Sequence, residues 1–294
     1  MDIGFIGLGI MGKPMVKNLV NAGYTLMVYD INKEAVEEVV GYGAKACSSV
    51  AEVATTVDVI VTMLPNSPQV EEVLLGGGGV VSNAVPNTLV IDMSSIAPEA
   101  AVKVAKALKE KGIRMIDAPV SGGEPKAVEG TLAIMVGGAQ EDFDEAMPIF
   151  DVLGSSVLLV GEIGSGNTCK LINQMIVALN IAALAEGLCF AEKAGADPRK
   201  VYNAIKGGLA GSTVMNAKAP MMLESNYAPG FKIDLHIKDI NNALLTAQMA
   251  GMPVPLTDLV MQFMQAIKLD GYGQSDHSAL AKYYEKISGV TLDD

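Results

Sequence analysis

Three cysteines, Cys47, Cys169 and Cys189, are all that 294 residues contain. They are scattered and odd in number, so no disulfide framework is expected, and a reducing cytoplasm suits the chain. Histidine is scarcer still: neither His236 nor His277 has a cysteine or a second histidine at ligand spacing, so no metal is expected. Positive charge is also short, with 21 Lys and Arg against 33 Asp and Glu and a formal net charge of -12 at pH 7. That balance opposes attraction to nucleic acid or anionic lipid. No Gly-x-Ser-x-Gly elbow of a serine hydrolase occurs, and the glycine run 76–79 lacks the Lys-Ser/Thr of a P-loop and reads as a turn. The longest apolar stretch, residues 175–191, contains Asn180 and Glu186, both costly in hydrocarbon, so no membrane span is expected. The first residues begin with an acid and are broken by Gly4, Gly7, Gly9 and Gly12, unlike a signal peptide.

What the chain does have is apolar residues, 50% of the total, enough for two domains that each bury a core. Up to about residue 160, short β-branched runs alternate with amphipathic stretches, the pattern of repeated βα units around a parallel sheet. Strands are expected over 3–6, 25–29, 59–63, 89–92, 115–118, 133–136 and 157–160, and helices over 33–40, 98–111 and 141–152. Past Gly161 the pattern is helical throughout, beginning with a long segment over 167–194 that is apolar on nearly every side. The fold class expected is α/β: an N-terminal Rossmann-type doubly wound sheet over 1–162, then an all-α domain over 163–294. The long helix is expected to be a central element packed by both domains and by a second subunit.

The sequence Gly7-Leu8-Gly9-Ile10-Met11-Gly12 directly follows the first expected strand and opens a helix. In that context the glycines have separate tasks: Gly7 permits a tight turn, Gly9 lets backbone approach a pyrophosphate, and Gly12 lets helix and strand lie close. Asp30 ends the second expected strand, where a carboxylate accepts from ribose hydroxyls and disfavours a 2′-phosphate. NAD(H) is therefore favoured over NADP(H), although Asn32 and Lys33 follow closely and could soften the repulsion. Met63-Leu64-Pro65 and Met93-Ser94-Ser95 lie at strand ends on the edge where ligands bind in open α/β sheets, and are expected to flank the dinucleotide. Ordinary strand-to-loop transitions explain each of these residues equally well.

Three further segments carry possible chemistry. Residues 117–123, Asp-Ala-Pro-Val-Ser-Gly-Gly, leave a strand and enter a glycine pair, so that successive N–H groups of Ser121, Gly122 and Gly123 can converge on a carboxylate; a plain flexible loop is the alternative. Lys170 and Asn173, three apart, put an ammonium and an amide on one face of the long helix. An ordinary lysine, pKa about 10.4, is protonated at neutral pH and can donate to a developing alkoxide. On spacing alone, a lysine meeting solvent at a helix end is the simpler account. Lys238-Asp239 likewise reads, by itself, as a solvated pair.

Together the glycine fingerprint 7–12, the loop 117–123, the segment Gly164-Ser165-Gly166-Asn167-Thr168-Cys169-Lys170-Leu171-Ile172-Asn173 and the Lys238-Asp239 region resemble the β-hydroxyacid dehydrogenase family, over almost the whole chain and in the family's order. The resemblance implies a soluble nicotinamide-dependent enzyme acting on a small hydroxy- or oxo-acid, with Lys170 as catalytic acid. It also implies that Ser121, Gly122, Gly123 and Asn173 hold substrate, that Lys238 lies beside the nicotinamide with Asp239 helping to position it, and that the enzyme is a homodimer or homotetramer. A non-catalytic dinucleotide-binding module would need neither the lysine nor the anion loop.

Overall fold

The computed structural model describes residues 2–292 and divides into two compact units, Met1–Lys170 and Leu171–Asp294. The chain passes from one to the other inside a single helix, Ser165–Lys193.

The first unit is built on nine strands: β1 (Asp2–Ile6), β2 (Thr25–Tyr29), β3 (Lys45–Ala46), β4 (Val59–Thr62), β5 (Leu89–Asp92), β6 (Arg114–Asp117), β7 (Val120–Ser121), β8 (Leu132–Gly137) and β9 (Gly154–Gly161). They hydrogen-bond in the order β3-β2-β1-β4-β5-β6-β8-β7, with β9 on β8. From β3 to β6 all pairings are parallel, and the chain reverses order between β1 and β4, the switch point of a doubly wound sheet. Strand alternation explains the two layers. Ile3 and Phe5, Val59 and Val61, and Leu89 and Ile91 point into one core, whereas Ile6, Ile60 and Val90 point into the other.

Two strands in this sheet, β3 and β7, are absent from the sequence-based expectation because two residues carry no periodicity. The segment expected to be a plain turn at 76–79 does cap the helix Ser67–Leu75 and lead into the short helix Val80–Asn83.

The second unit, which contains no strand among the described residues, is all-α. Its core gathers Ile181, Ala185 and Leu188 of the long helix with Met222, Ile240, Met264 and Leu280. The long helix has length and hydropathy sufficient to cross a membrane, but half of its apolar window is buried inside the protein, as in a core helix. Helix Ile233–Met249 turns His236 and Asp239 inward, and an ion pair between half-buried Lys218 and buried Asp276 joins two other elements of this unit at 2.9 Å.

Candidate active site

In the first unit, β1 delivers the chain into the glycine motif at the carboxyl edge of the sheet. Gly7 has φ +103°, and a Cβ there would stand 2.3 Å from the Met63 carbonyl oxygen. Gly12 opens the helix Gly12–Asn21, where a Cβ would lie 2.0 Å from the Gly7 carbonyl oxygen; only glycine closes this turn. Around the Cβ position of Gly9 there is open space to beyond 4 Å, as a close approach of phosphate to backbone requires. Met11, the N-cap, gives the helix no side-chain cap, and its first turn carries no acid. The helix dipole and N–H groups are thus left for an anion. Leu8, Gly9, Ile10, Asn32 and Glu34 border an open cleft of about 710 Å³. The residues present therefore fit a dinucleotide.

Asp30, one residue beyond β2, reaches back into the motif. Its Oδ2 accepts from the Leu8 N–H at 2.6 Å and its Oδ1 from the Asn32 N–H at 2.7 Å. Asn32 caps the helix Lys33–Val40, its Oδ1 accepting from the Glu34 and Ala35 N–H groups.

The ends of β4 and β5 are tied to each other. Thr62 Oγ1 donates to Asp92 Oδ1 at 2.8 Å, the Ser94 N–H donates to the same oxygen at 3.2 Å, and Ser94 Oγ accepts from the Leu64 N–H at 2.9 Å. Ser94 is fully buried and organises the loop, whereas Ser95 and Met63 are half-buried and Pro65 is exposed. Asp92 itself was not singled out from the sequence. It is fully buried in register with Asp117 of β6. Burial pushes its pKa from the ordinary 3.8 to about 6, against the hydrogen bonds from Ser94 and Thr62 and with the charge of Asp117 adding to the rise.

The 117–123 segment has regular structure. Val120 and Ser121 pair antiparallel with Ile134 and Ala133, Gly122 adopts φ +138° and Gly123, at φ +70°, begins the helix Gly123–Glu129. Ser121 and Gly123 are half-buried and Gly122 exposed. Lys170 follows in the second turn of the long helix. It is buried, with 6% of its surface exposed, so the simpler account of a lysine in solvent does not hold.

In the second unit, Asn173 Nδ2 donates to Gln174 Oε1 at 2.9 Å, and Gln174 Nε2 donates to Asp239 Oδ2 at 2.6 Å. Lys238 Nζ lies 2.9 Å from Asp239 Oδ1, with Asp239 only 1% exposed. This pair is therefore no solvated face. Gln174, which no motif singled out, connects Asn173 to the Lys238-Asp239 pair. The main-chain oxygen of Gln174 lies 3.0 Å from His236 Nε2, and His236 Nδ1 lies 3.0 Å from His277 Nδ1, which puts both histidines in the buried frame.

A Rossmann-type sheet with an uncapped glycine-motif helix, followed by an α-domain, fits a dinucleotide-dependent enzyme, and similarity to known dehydrogenases and reductases makes it an oxidoreductase. Residues 2–161 match the NAD binding domain of 6-phosphogluconate dehydrogenase, and residues 164–284 match the NAD-binding domain of NADP-dependent 3-hydroxyisobutyrate dehydrogenase. The chain belongs to the β-hydroxyacid dehydrogenase family. It is 44% identical over 292 residues to 2-hydroxy-3-oxopropionate reductase of Escherichia coli K12, covering 99% of this chain and 100% of the relative. It is 40% identical over 293 residues to 2-(hydroxymethyl)glutarate dehydrogenase of Eubacterium barkeri, covering 99% and 97%. The solved structure of Mycobacterium tuberculosis 3-hydroxyisobutyrate dehydrogenase with L-serine superposes with a TM-score of 0.90 at 30% identity, covering 96% of this chain and 98% of that one.

Proposed function

We propose that this enzyme reduces tartronate semialdehyde (2-hydroxy-3-oxopropanoate) to D-glycerate, with NADH preferred to NADPH. The observation that carries the substrate is the 44% identity, end to end, with 2-hydroxy-3-oxopropionate reductase. The stretches 121–127, 207–212 and 276–280 support it, because they look most like that reductase. A bound nicotinamide dinucleotide supplies the hydride. In this reading Gly7, Leu8, Gly9, Ile10, Met11 and Gly12 hold the pyrophosphate, and Asp30 accepts from the ribose hydroxyls with lone pairs left over from the Leu8 and Asn32 N–H groups. Asn32, Met63, Leu64, Pro65, Ser94 and Ser95 form the walls, with Lys238 and Asp239 assigned to the cofactor and Asn173 to the substrate by the family resemblance.

Ser121, Gly122 and Gly123 take the substrate carboxylate, where N–H groups at the start of the helix Gly123–Glu129 favour an anion. As hydride arrives at the aldehyde carbon, Lys170 gives a proton to the oxygen, so the C=O becomes CH–OH and the lysine is left neutral until solvent reprotonates it. The enzyme would be cytoplasmic, and a homodimer or homotetramer.

A second substrate reading has support of its own: the relative 40% identical acts, by its name, on 2-(hydroxymethyl)glutarate, a larger hydroxyacid of the same kind. An absorbance assay decides, following NADH and NADPH consumption with tartronate, methylmalonate and succinic semialdehydes and the oxo-acid counterpart of 2-(hydroxymethyl)glutarate. Tartronate semialdehyde should give the highest kcat/KM, and a higher value for another acid would move the assignment to it. Lys170→Ala should lower kcat by roughly 10²–10⁴ while NADH still binds; near-normal turnover would remove Lys170 from this role.

A further inference from the structure

Asp117 ends β6 and is fully buried. Its Oδ1 accepts from the Gly164 N–H at 2.7 Å, and its Oδ2 accepts from the Asn167 N–H at 2.7 Å and from Asn167 Nδ2 at 3.2 Å. Gly164 and Asn167 bracket the first turn of the long helix, so this one carboxylate satisfies both main-chain donors that the two side chains of a capping box satisfy elsewhere. It does so from a strand 47 and 50 positions earlier in the chain. A second tie holds the same turn, because Asn167 Oδ1 accepts from the Ile96 N–H at 2.9 Å, in the loop after β5.

Glycines make room for the arrangement. A Cβ on Gly166 would stand 2.9 Å from Asp117 Oδ2 and 2.4 Å from the Met135 carbonyl oxygen. A Cβ on Gly137 would stand 2.4 Å from Asp117 Oδ1 and 2.8 Å from the Gly166 nitrogen. Lys170 follows Asn167 by three residues, and Ser121 follows Asp117 by four. Both therefore issue from a point fixed by one carboxyl group.

From this we infer that Asp117 is a positioning residue for the reaction, its carboxylate locking the first turn of the Lys170 helix onto the strand that launches the 121–123 loop. The inference rests on the reading of Lys170 as proton donor. Asparagine at 117 keeps the size of the side chain but loses the charge and one acceptor, so the turn is free to shift. Misplacement of a reacting group by about 1 Å costs on the order of 100-fold in rate.

The test is single-turnover hydride transfer, followed by stopped-flow NADH absorbance with the semialdehyde that the wild type turns over fastest, and expressed per NADH bound. Asp117→Asn should slow this rate by roughly 10–100-fold while the Kd for NADH stays within about threefold. A purely structural role would lower Tm and the amount of enzyme able to bind NADH but leave the rate per bound NADH unchanged, and that result would overturn the inference. Should Asp117→Asn not fold, Asn167→Ala decides by the same rate, since it deletes only the side-chain ties to Asp117 and Ile96. It should slow transfer about fivefold, and an unchanged rate there is equally fatal. Lys170→Ala is run alongside: a slow Lys170→Ala with a normal Asp117→Asn rejects only the positioning role, whereas a normal Lys170→Ala rejects the proton donor and the inference built on it.

Discussion

Replacing Asp92 by asparagine should make the protein more stable near pH 7.5, and the gain should fade as the pH is lowered. Asp92 is fully buried; its Oδ1 takes hydrogen bonds from Thr62 and Ser94, while its Oδ2 has no hydrogen-bond partner. Burial, with the charge of Asp117 adding to it, lifts the carboxyl from 3.8 to about 6. The folded protein therefore binds this proton more tightly than the unfolded chain does. Ionised Asp92 opposes folding above pH 6, and the penalty is relieved as the pH falls through 6 toward 3.8. At pH 7.5 the linkage amounts to about 3 kcal/mol, and at pH 5 to about half of that. Asparagine cannot titrate, and its amide in the place of Oδ2 costs roughly 1–2 kcal/mol at every pH. The variant should thus be ahead by about 1–2 kcal/mol at pH 7.5 and level at pH 5. For a protein of this size that is a Tm gap of roughly 2–8 °C that closes. Parallel thermal melts of the two proteins across that range measure it. A gap that is constant with pH, or that widens toward pH 5, would refute the argument that desolvation dominates at this position.

Asp30→Ala should raise the ratio of NADPH to NADH efficiency about tenfold, by removing a carboxylate from the place a 2′-phosphate would occupy. Both efficiencies should fall in absolute terms because the Leu8 and Asn32 N–H groups lose their acceptor; steady-state kinetics with each cofactor that leave the ratio unchanged would reject the assignment. Lys218→Ala should cost roughly 3–5 kcal/mol at pH 7, since it leaves the buried Asp276 carboxylate without the ammonium now 2.9 and 3.0 Å from its two oxygens. Burial pushes Asp276 up, but His277, Lys218 and the Ser278 N–H outweigh it and hold the pKa at about 2. The ion pair is thus fully formed in the wild type at pH 7; its contribution to stability fades as the pH falls from 3.8 toward about 2, and the pair itself breaks only below that. Urea unfolding measures the difference, and a loss under about 1 kcal/mol would show that water or other donors replace the lysine.

The sequence was most readable where a physical signal is local. The runs Thr25–Tyr29 and Leu89–Asp92 and the helix Lys33–Val40 are found where β-branched alternation and an Asn cap put them. Strand β9 starts three residues before the expected 157, because Gly154, Ser155 and Ser156 read as turn formers; Gly154 and Ser156 pair with Leu132 and Ala133 across a register shift that skips Ser155, which makes the segment strand. The glycine motif was legible for the same reason as the cap, since Gly7 and Gly12 answer contacts within a few residues or with the adjacent strand.

Asp117 shows where such reading stops. In the sequence it lies in the expected strand 115–118, at the start of the 117–123 segment, and Gly164-Ser165-Gly166-Asn167 is a helix start with no cap of its own. Each is unremarkable until the parallel pairing of β5 with β6, and of β8 with β9, brings positions 47 and 50 apart within 2.7 Å. A helix entering a folded unit with unsatisfied N–H groups requires acceptors from somewhere. The absence of a Ser, Thr or Asp just before residue 165 was therefore itself a signal that an acceptor distant in sequence must serve the turn. The glycines at 137 and 166 then say where it comes from, since both would collide with the Asp117 carboxylate if they carried a side chain. Buried carboxylates at two adjacent strand ends are costly, as the rise of both Asp92 and Asp117 to about 6 indicates, with burial the leading cause for each. A fold that keeps both has exchanged stability for fixed geometry at the edge where its ligand chemistry is expected.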